Sequence, residues 1–337
     1  MFKGNDYEEI LKFNAPLFID LRSNKEYMDG TIPCAISMPI LDDEERKVVG
    51  TLYDSGKIDE AKLKGVEYVT PKLLKYYKFI TENAKDREVV LFCSRGGFRS
   101  TVLFNLLKSL GEKVYKLNFG YKAYRRYVLD YLNGLSRYEY VVLNGYTGCG
   151  KTEILNELKA LGENVLDLEK LASSRGSIFG GVGLLNQPSQ KEFESRIVEE
   201  FKKFKKGPIY VESESSKIGK LIVPRELNMA YKNSKHQILI TSTLEDRVAR
   251  IKKDYLNDYG KERKMELLDA FESLKRYISP KRYENYLSLL EEEKFDEIII
   301  DLIEKYYDLN YVVAKKDFER EVLNIDSRQT ALELIKK

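Results

Sequence analysis

The chain has 337 residues, 43% of them hydrophobic and 33% charged, which is enough for about two domains and excludes a disordered or fibrous class. No apolar run nears the roughly 20 residues that cross a membrane, Met1–Asp6 lacks an apolar signal core, and Cys34, Cys93 and Cys149 are few and odd in number, so a reduced, cytoplasmic protein is expected. The net charge of +3 neither requires nor excludes nucleic acid, and no His or Cys cluster has metal-site spacing.

In chain order, Leu17–Leu21 reads as a short buried strand ending at a carboxylate, Asp20. Lys25–Gly30 is a helical turn, and Ala35-Ile36 begins a second strand. Pro71–Asn83 has the pattern of a helix with an early proline. Strand 88–92 runs into a loop at Cys93, and a helix follows from about Arg99 to Leu110, stopped by Gly111. Val114–Leu117 is another strand. This alternation predicts a parallel α/β sheet. A boundary is expected near Asn133–Ser136, giving a first domain over 1–134.

A second α/β unit, 135–245, opens at strand 139–143. Its loop feeds a helix with Ile154, Leu155, Leu158 and Leu161, closed by Gly162. Further strands are expected at Asn164–Leu166, Ile209–Val211 and Gln237–Ile240. Residues 246–337 read as a helical, charged, tyrosine-rich region packed on or extending that unit. His236, the one histidine, stands before the last of these strands and reads as a strand-edge residue rather than a ligand.

Both units therefore carry a strand, a glycine-rich loop and a helix. The first loop is Cys93-Ser94-Arg95-Gly96-Gly97-Phe98-Arg99-Ser100. Loop amides, the helix N-terminus, Arg95 and Arg99 all favour thiolate at Cys93, so a reactive cysteine in an oxyanion cradle is expected. Gly96 and Gly97 let the backbone turn its N–H groups inward, with Ser94, Phe98 and Ser100 completing the loop. The second loop, Gly145-x-x-Gly148-x-Gly150-Lys151-Thr152, is a complete phosphate-binding pattern in its required context. Its amides hold one phosphate, Lys151 reaches a second, and the Thr152 hydroxyl is placed for Mg²⁺, with Glu212 or Glu214 at the end of a later strand to orient the ion or water. The pattern identifies a polyphosphate site without saying that the ligand is ATP.

The cysteine loop, with Ile19-Asp20-Leu21-Arg22 and Gly30–Ala35, resembles a rhodanese domain. Thr31 stands where a rhodanese customarily has His, and Cys34 where it has Gly. Five residues separate Cys93 from Arg99 instead of the common four. Five is the spacing of cysteine phosphatases, whose loop encloses a tetrahedral phosphate, although Phe92 replaces their usual His. A rhodanese domain followed by a phosphate-loop domain narrows the field. Leu41–Arg46, Val49–Tyr53, Arg175–Gly180, Gln187–Gln190, Glu212–Ser215 and Ile218-Gly219 with Pro224 resemble, in order, the motifs of tRNA 2-selenouridine synthases. Ser174 and Ser94 stand where that family often has His and a large aromatic.

The resemblance implies exchange of sulfur for selenium at the wobble 2-thiouridine of tRNA, through an S-geranyl intermediate, with geranyl diphosphate and selenophosphate as co-substrates. It implies that Cys93 carries selenium, with Arg95, Arg99 and the loop amides on the selenophosphate oxyanion. Gly145, Gly148, Gly150, Lys151, Thr152, Arg175 and Glu212 would then hold the diphosphate, with Mg²⁺ as an additional expectation. The implied partners are the anticodon arms of tRNAs for Lys, Glu and Gln, and selenophosphate synthetase, with no membrane. An ATP-dependent sulfurtransferase, a cysteine phosphatase fused to an NTPase and a non-catalytic RNA-binding module are the competing readings. The basic segments Lys202–Lys206 and Lys122–Tyr127 read as solvated helix faces from composition, and as phosphate contacts if the substrate is tRNA.

Overall fold

Two parallel β-sheets organise the chain in a computed structural model that describes residues 2–84, 87–177, 179–184, 186–257, 260–310 and 317–336. The chain divides into two units, Met1–Tyr131 with Glu194–Arg196, and Leu132–Phe193 with Ile197–Lys337.

In the first unit β1 (Leu17–Asp20), β2 (Ile36–Ser37), β3 (Val89–Phe92) and β4 (Val114–Lys116) form a sheet in the order β2-β1-β3-β4, every pair parallel. β3 is buried along its whole length, as its uninterrupted Val-Val-Leu-Phe run requires of an interior parallel strand. Helix Phe98–Ser109 buries Leu103, Phe104 and Leu107 against the same core as Leu17, Ile19 and Ile80. It ends where Gly111 adopts φ +86°. The register places Asp20 opposite Phe92, so the ends of β1 and β3 lie level at the carboxyl edge of the sheet. There the fully buried Asp20 carboxylate accepts from Arg22 Nη2 at 2.6 Å and from the Thr31 hydroxyl at 2.8 Å. Arg22 also donates to Gly30 O at 2.6 Å, and its guanidinium lies 3.9 Å from the Tyr121 ring centroid.

The second sheet contains β5 (Tyr140–Asn144), β6 (Asn164–Leu166), β7 (Ile209–Glu212), β10 (His236–Thr241) and β11 (Arg320–Leu323); β8 (Lys217–Ile218) and β9 (Leu221–Ile222) pair apart as a small antiparallel ribbon. The strand order β11-β10-β5-β7-β6, all parallel, puts β5 at the centre. The chain leaves β5 toward one edge and later returns to its other side. The carboxyl end of β5 is thus a topological switch point, where doubly wound sheets bind ligands. Helix Lys151–Ala160 packs Ile154, Leu155 and Leu158 with Ala331 and Leu334 of helix Ser327–Ile335. A separate core of Phe179, Leu267, Phe271, Leu274, Tyr286, Leu290, Ile298 and Leu302 joins the helices Lys261–Leu274, Pro280–Glu291 and Phe295–Leu302.

The structure adds elements to the sequence reading. Residues 246–337 are helical through most of 244–310, but they then supply β11, the edge strand of the sheet. Arg-Glu-Val-Leu buries only Val322, so it carries no apolar run to signal a strand. Helix Asp43–Asp54 buries no residue and is equally silent in periodicity; its start is marked by a capping box in which Asp42 accepts from Glu45 N at 2.8 Å. Within 246–337, residues 258–259, 311–316 and 337 lie outside the described residues, as does Ile178 of the Arg175–Gly180 motif. Among the described residues no helix is long and apolar enough to cross a membrane.

Replacing Arg22 with Met would leave the Asp20 carboxylate buried without its cation. We expect a loss of about 3–5 kcal/mol in urea unfolding of the first unit. A loss under about 1 kcal/mol would show that the pair does not hold the loop edge together.

Candidate active site

Cys93 follows the last residue of β3 and is buried, with its Sγ 3.2 Å from Ser100 Oγ and 3.9 Å from Gly97 O. Ser100 is the third residue of helix Phe98–Ser109, whose N-cap, Gly97, offers no side chain to the first-turn N–H groups. That leaves the helix terminus open to an anion beside the sulfur. The loop is closed from behind by the segment after β4. Tyr121 N donates to Cys93 O at 2.8 Å and Lys122 N to Ser94 O at 3.1 Å. Gly120 sits there at φ +54°, and a Cβ on it would lie 2.0 Å from Cys93 O. Cys34 is exposed at φ +62°, in the left-handed region that the customary glycine enters freely.

The two arginines differ. Arg99 is held by Glu26, at 2.5 and 3.0 Å, although burial opposes both charges; the pairing more than offsets that cost, keeping Glu26 below and Arg99 above their ordinary values. The Cys93 sulfur and Asp20 add to the negative surroundings of Arg99. Arg95 is exposed and makes no hydrogen bond or ion pair among the described residues. The structure therefore brings Cys93, Arg99 and Ser100 together and leaves Arg95 at the rim, with Phe98 beside it half exposed.

The second loop leaves the carboxyl end of β5. Gly145, Gly148 and Gly150 all have positive φ; a Cβ on Gly145 would lie 2.3 Å from the Ile240 carbonyl oxygen, and Gly150 is as tightly enclosed. A Cβ there would meet the Asn324 amide at 2.3 Å. Asn324, fully buried at the end of β11, donates to Cys149 O at 2.9 Å. Arg247 donates to Thr147 O at 2.8 Å, and Arg250 to Gly148 O at 3.3 Å. The Lys151 ammonium is folded onto the loop, donating to Gly145 O at 2.9 Å and Tyr146 O at 3.4 Å. Thr152 donates to Glu212 at 3.2 Å.

Around Lys151 stand three carboxylates, Glu169, Glu212 and Glu214, with Asp167 next to them and facing Lys170 and Lys159. Burial, then Glu212 and Glu214, push Glu169 up to about 10. Burial pushes Glu212 up to about 8, with Glu214 and Asp167 adding to it against Lys151. Burial likewise raises Glu214 and Asp167. One ammonium against this much buried negative charge is a site that favours a further cation, or protons in its place. Arg175 does not reach this group directly. It donates to Val182 O at 2.8 Å and lies 5.1 Å from the Tyr255 ring centroid. The next residue, Gly176, packs on the group instead: a Cβ there would lie 2.7 Å from Glu169 Oε1 and 3.2 Å from Glu214 Oε2.

The family model described as tRNA 2-selenouridine synthase AAA domain matches residues 138–337, and the model described as Rhodanese-like domain matches 5–127. The chain belongs to the tRNA 2-selenouridine synthase family. Its similar relatives include the tRNA 2-selenouridine synthase of Hydrogenovibrio crunogenus, 31% identical with 93% of each chain covered. That of Photobacterium profundum is 30% identical with 92% of each covered, and that of Marinobacter nauticus 34% identical over 75% of this chain and 68% of its own.

Several residues at these two sites carried no sequence signal. Glu26, Glu169 and Asn324 lie far along the chain from the loops they serve and meet them only through the sheet topology. Arg247 and Arg250 are one turn apart on helix Leu244–Leu256, a spacing that could have marked a shared face. Elsewhere, Lys202 and Lys203 pair with Glu199 and Glu200 at 2.7 Å each, as a solvated helix face does. His236 opens β10 and meets Glu319 at 3.0 Å.

The raised carboxylates set a pH dependence. Glu212 folds with its proton affinity above the ordinary 4.5, so its stabilising contribution is complete below pH 4.5 and is lost as pH rises through about 8. In magnesium-free buffer the melting temperature of Glu212→Gln, relative to the parent protein, should therefore rise between pH 5 and pH 9. A difference that is flat or falls with pH would contradict the assignment.

Proposed function

We propose that the chain converts wobble 2-thiouridine in tRNA to 2-selenouridine in two exchanges, one at each loop. The observation that carries this reading is the pairing, in one chain of this family, of a buried cysteine at an open helix terminus with a phosphate loop whose lysine lies among protonatable carboxylates. In the first exchange the 2-thio sulfur attacks C1 of geranyl diphosphate. The C–S bond forms as the C–O bond breaks, N3 of the base loses its proton, and diphosphate departs. Lys151, the loop amides and the open N-terminus of helix Lys151–Ala160 stabilise the charge on that leaving group. Arg175 shapes this site through Tyr255 rather than by touching phosphate.

In the second exchange the selenium of selenophosphate attacks C2 of the base, the C–Se bond forming as C–S breaks and geranylthiol leaves; water then cleaves the Se–P bond and phosphate departs. Alkylation turns a poor leaving group into a good one, which is why the two exchanges come in this order. Cys93 lies where the selenium donor is held for attack, and Arg95 with the loop amides receives the selenophosphate oxyanion. Arg99, already paired with Glu26, holds the loop and supplies the field at the sulfur. Ser100, 3.2 Å from Sγ, is placed to exchange a proton with it.

Mg²⁺ fits the second site only as a partner shared with the substrate. Among the described residues no three metal-binding side chains converge on one point. The Thr152 hydroxyl and Glu212 would hold the ion from one side and diphosphate oxygens from the other, the arrangement this ion favours. The tRNAs proposed are those for Lys, Glu and Gln, engaged through the anticodon arm, with selenophosphate synthetase supplying the donor.

Mass spectrometry of 2-thiouridine tRNA incubated with both donors tests this division of labour. Lys151→Ala should lower geranylation by about 100-fold or more and leave 2-thiouridine unchanged. Cys93→Ser should instead accumulate S-geranyl-2-thiouridine. Full-rate geranylation by Lys151→Ala, or 2-selenouridine formed at the normal rate by Cys93→Ser, would sink the respective assignment.

A further inference from the structure

The motif Arg175–Gly180 is not used up by phosphate binding, and the structure shows where it leads. Gly176 packs against the carboxylates around Lys151, while Phe179 lies on the far side, in the helical core. Phe179 lines an apolar cleft together with Thr147 of the phosphate loop, Tyr255, Phe271, Ile298 and Leu302. The rings of Phe179 and Phe271 meet edge to face at 5.1 Å, and Phe179 meets Tyr255 at 6.4 Å. Counting its open mouth the cleft holds about 580 Å³ of unfilled space, and through Thr147 it borders the phosphate loop.

Two of the three polar side chains that line the cleft, Tyr255 and Tyr307, are already engaged. The Tyr255 hydroxyl lies 3.3 Å from Ser177 Oγ, and Ser177 also bonds Tyr307. A nucleoside placed here would leave its hydrogen-bonding edges unpaired, at a cost that excludes it. An unbranched or isoprenoid hydrocarbon chain has no such groups, and burying it removes apolar surface from water on both sides.

We infer that this cleft is the binding site for the hydrocarbon chain of an isoprenoid diphosphate whose diphosphate occupies the adjacent loop. The inference rests on the loop reading given above and extends it to the recognition of chain length. Arg175, over the Tyr255 ring, and Ser177, bonded to its hydroxyl, hold the wall in place. The helical core built on a phosphate-loop domain then has a purpose: it supplies the apolar half of an amphipathic substrate's site.

The test uses the full-length protein and three probes: inorganic diphosphate, dimethylallyl diphosphate and geranyl diphosphate, titrated calorimetrically. Geranyl diphosphate should bind at least about 30-fold more tightly than inorganic diphosphate, with the five-carbon ester between them. Ile298→Phe, which fills the cleft, should weaken geranyl diphosphate about 10-fold or more and leave inorganic diphosphate unchanged. The chain contains no tryptophan, so Phe271→Trp adds a single reporter within the lining. Its emission should shift with geranyl diphosphate and not with inorganic diphosphate. Equal affinity of the unmodified protein for all three probes would overturn the cleft assignment while leaving the loop reading intact, and this series stands even if a variant fails to fold. A geranyl-dependent shift that persists unchanged when Lys151→Ala is added would uphold the cleft and overturn the loop reading. Absence of binding by all three probes would overturn both.

Discussion

Both functional loops depend on one constraint: each leaves the carboxyl end of an interior parallel strand and turns at once into a helix. Because β3 and β5 have neighbours on both sides, their last residues are fixed in position, and the loop that follows has little freedom. The helix that begins there then aims its unpaired N–H groups at whatever the loop encloses. In neither case does a side chain cap the helix, since Gly97 and Gly150 occupy the cap positions. A glycine cap sacrifices some helix stability and keeps the N–H groups for a ligand.

The same scaffold is tuned to different chemistry by what surrounds the loop. At the first, the buried Asp20–Arg22 pair and the Glu26–Arg99 pair neutralise one another locally, so the sulfur and the open helix end dominate. At the second, the Lys151 ammonium is outnumbered by Glu169, Glu212 and Glu214, and the balance is negative until a cation or protons arrive. Lys151 donates to the carbonyls of Gly145 and Tyr146, which hold its ammonium over the loop. The acidic surroundings also mean that a trianionic ligand would not enter without a compensating charge.

The loops themselves were legible in the sequence because each compresses its chemistry into eight contiguous residues. The strands β1, β3, β5, β7 and β10 were legible because interior parallel strands are apolar runs, and the edge strand β6 because its three residues are all buried. The edge strand β11 was not, because only one of its four side chains is buried. Glu26, Glu169 and Asn324 were invisible for another reason: their role exists only once the sheet has brought distant segments to one edge. Arg175, read from its motif as a diphosphate-binding residue, lies over the Tyr255 ring and donates to Val182 O. The positive φ of Cys34 explains why glycine is customary there, a backbone fact that periodicity does not encode.

The claim at the centre of this account is that the two loops serve separable exchanges on one base. The most direct measurement supplies the product of the first exchange ready-made: tRNA bearing S-geranyl-2-thiouridine, incubated with selenophosphate and the Lys151→Ala protein, with 2-selenouridine followed by mass spectrometry. The account predicts selenation at close to the rate of the parent protein, since the phosphate loop has no further task. Failure of that variant to form 2-selenouridine from geranylated tRNA, while it remains folded and binds the tRNA, would contradict it.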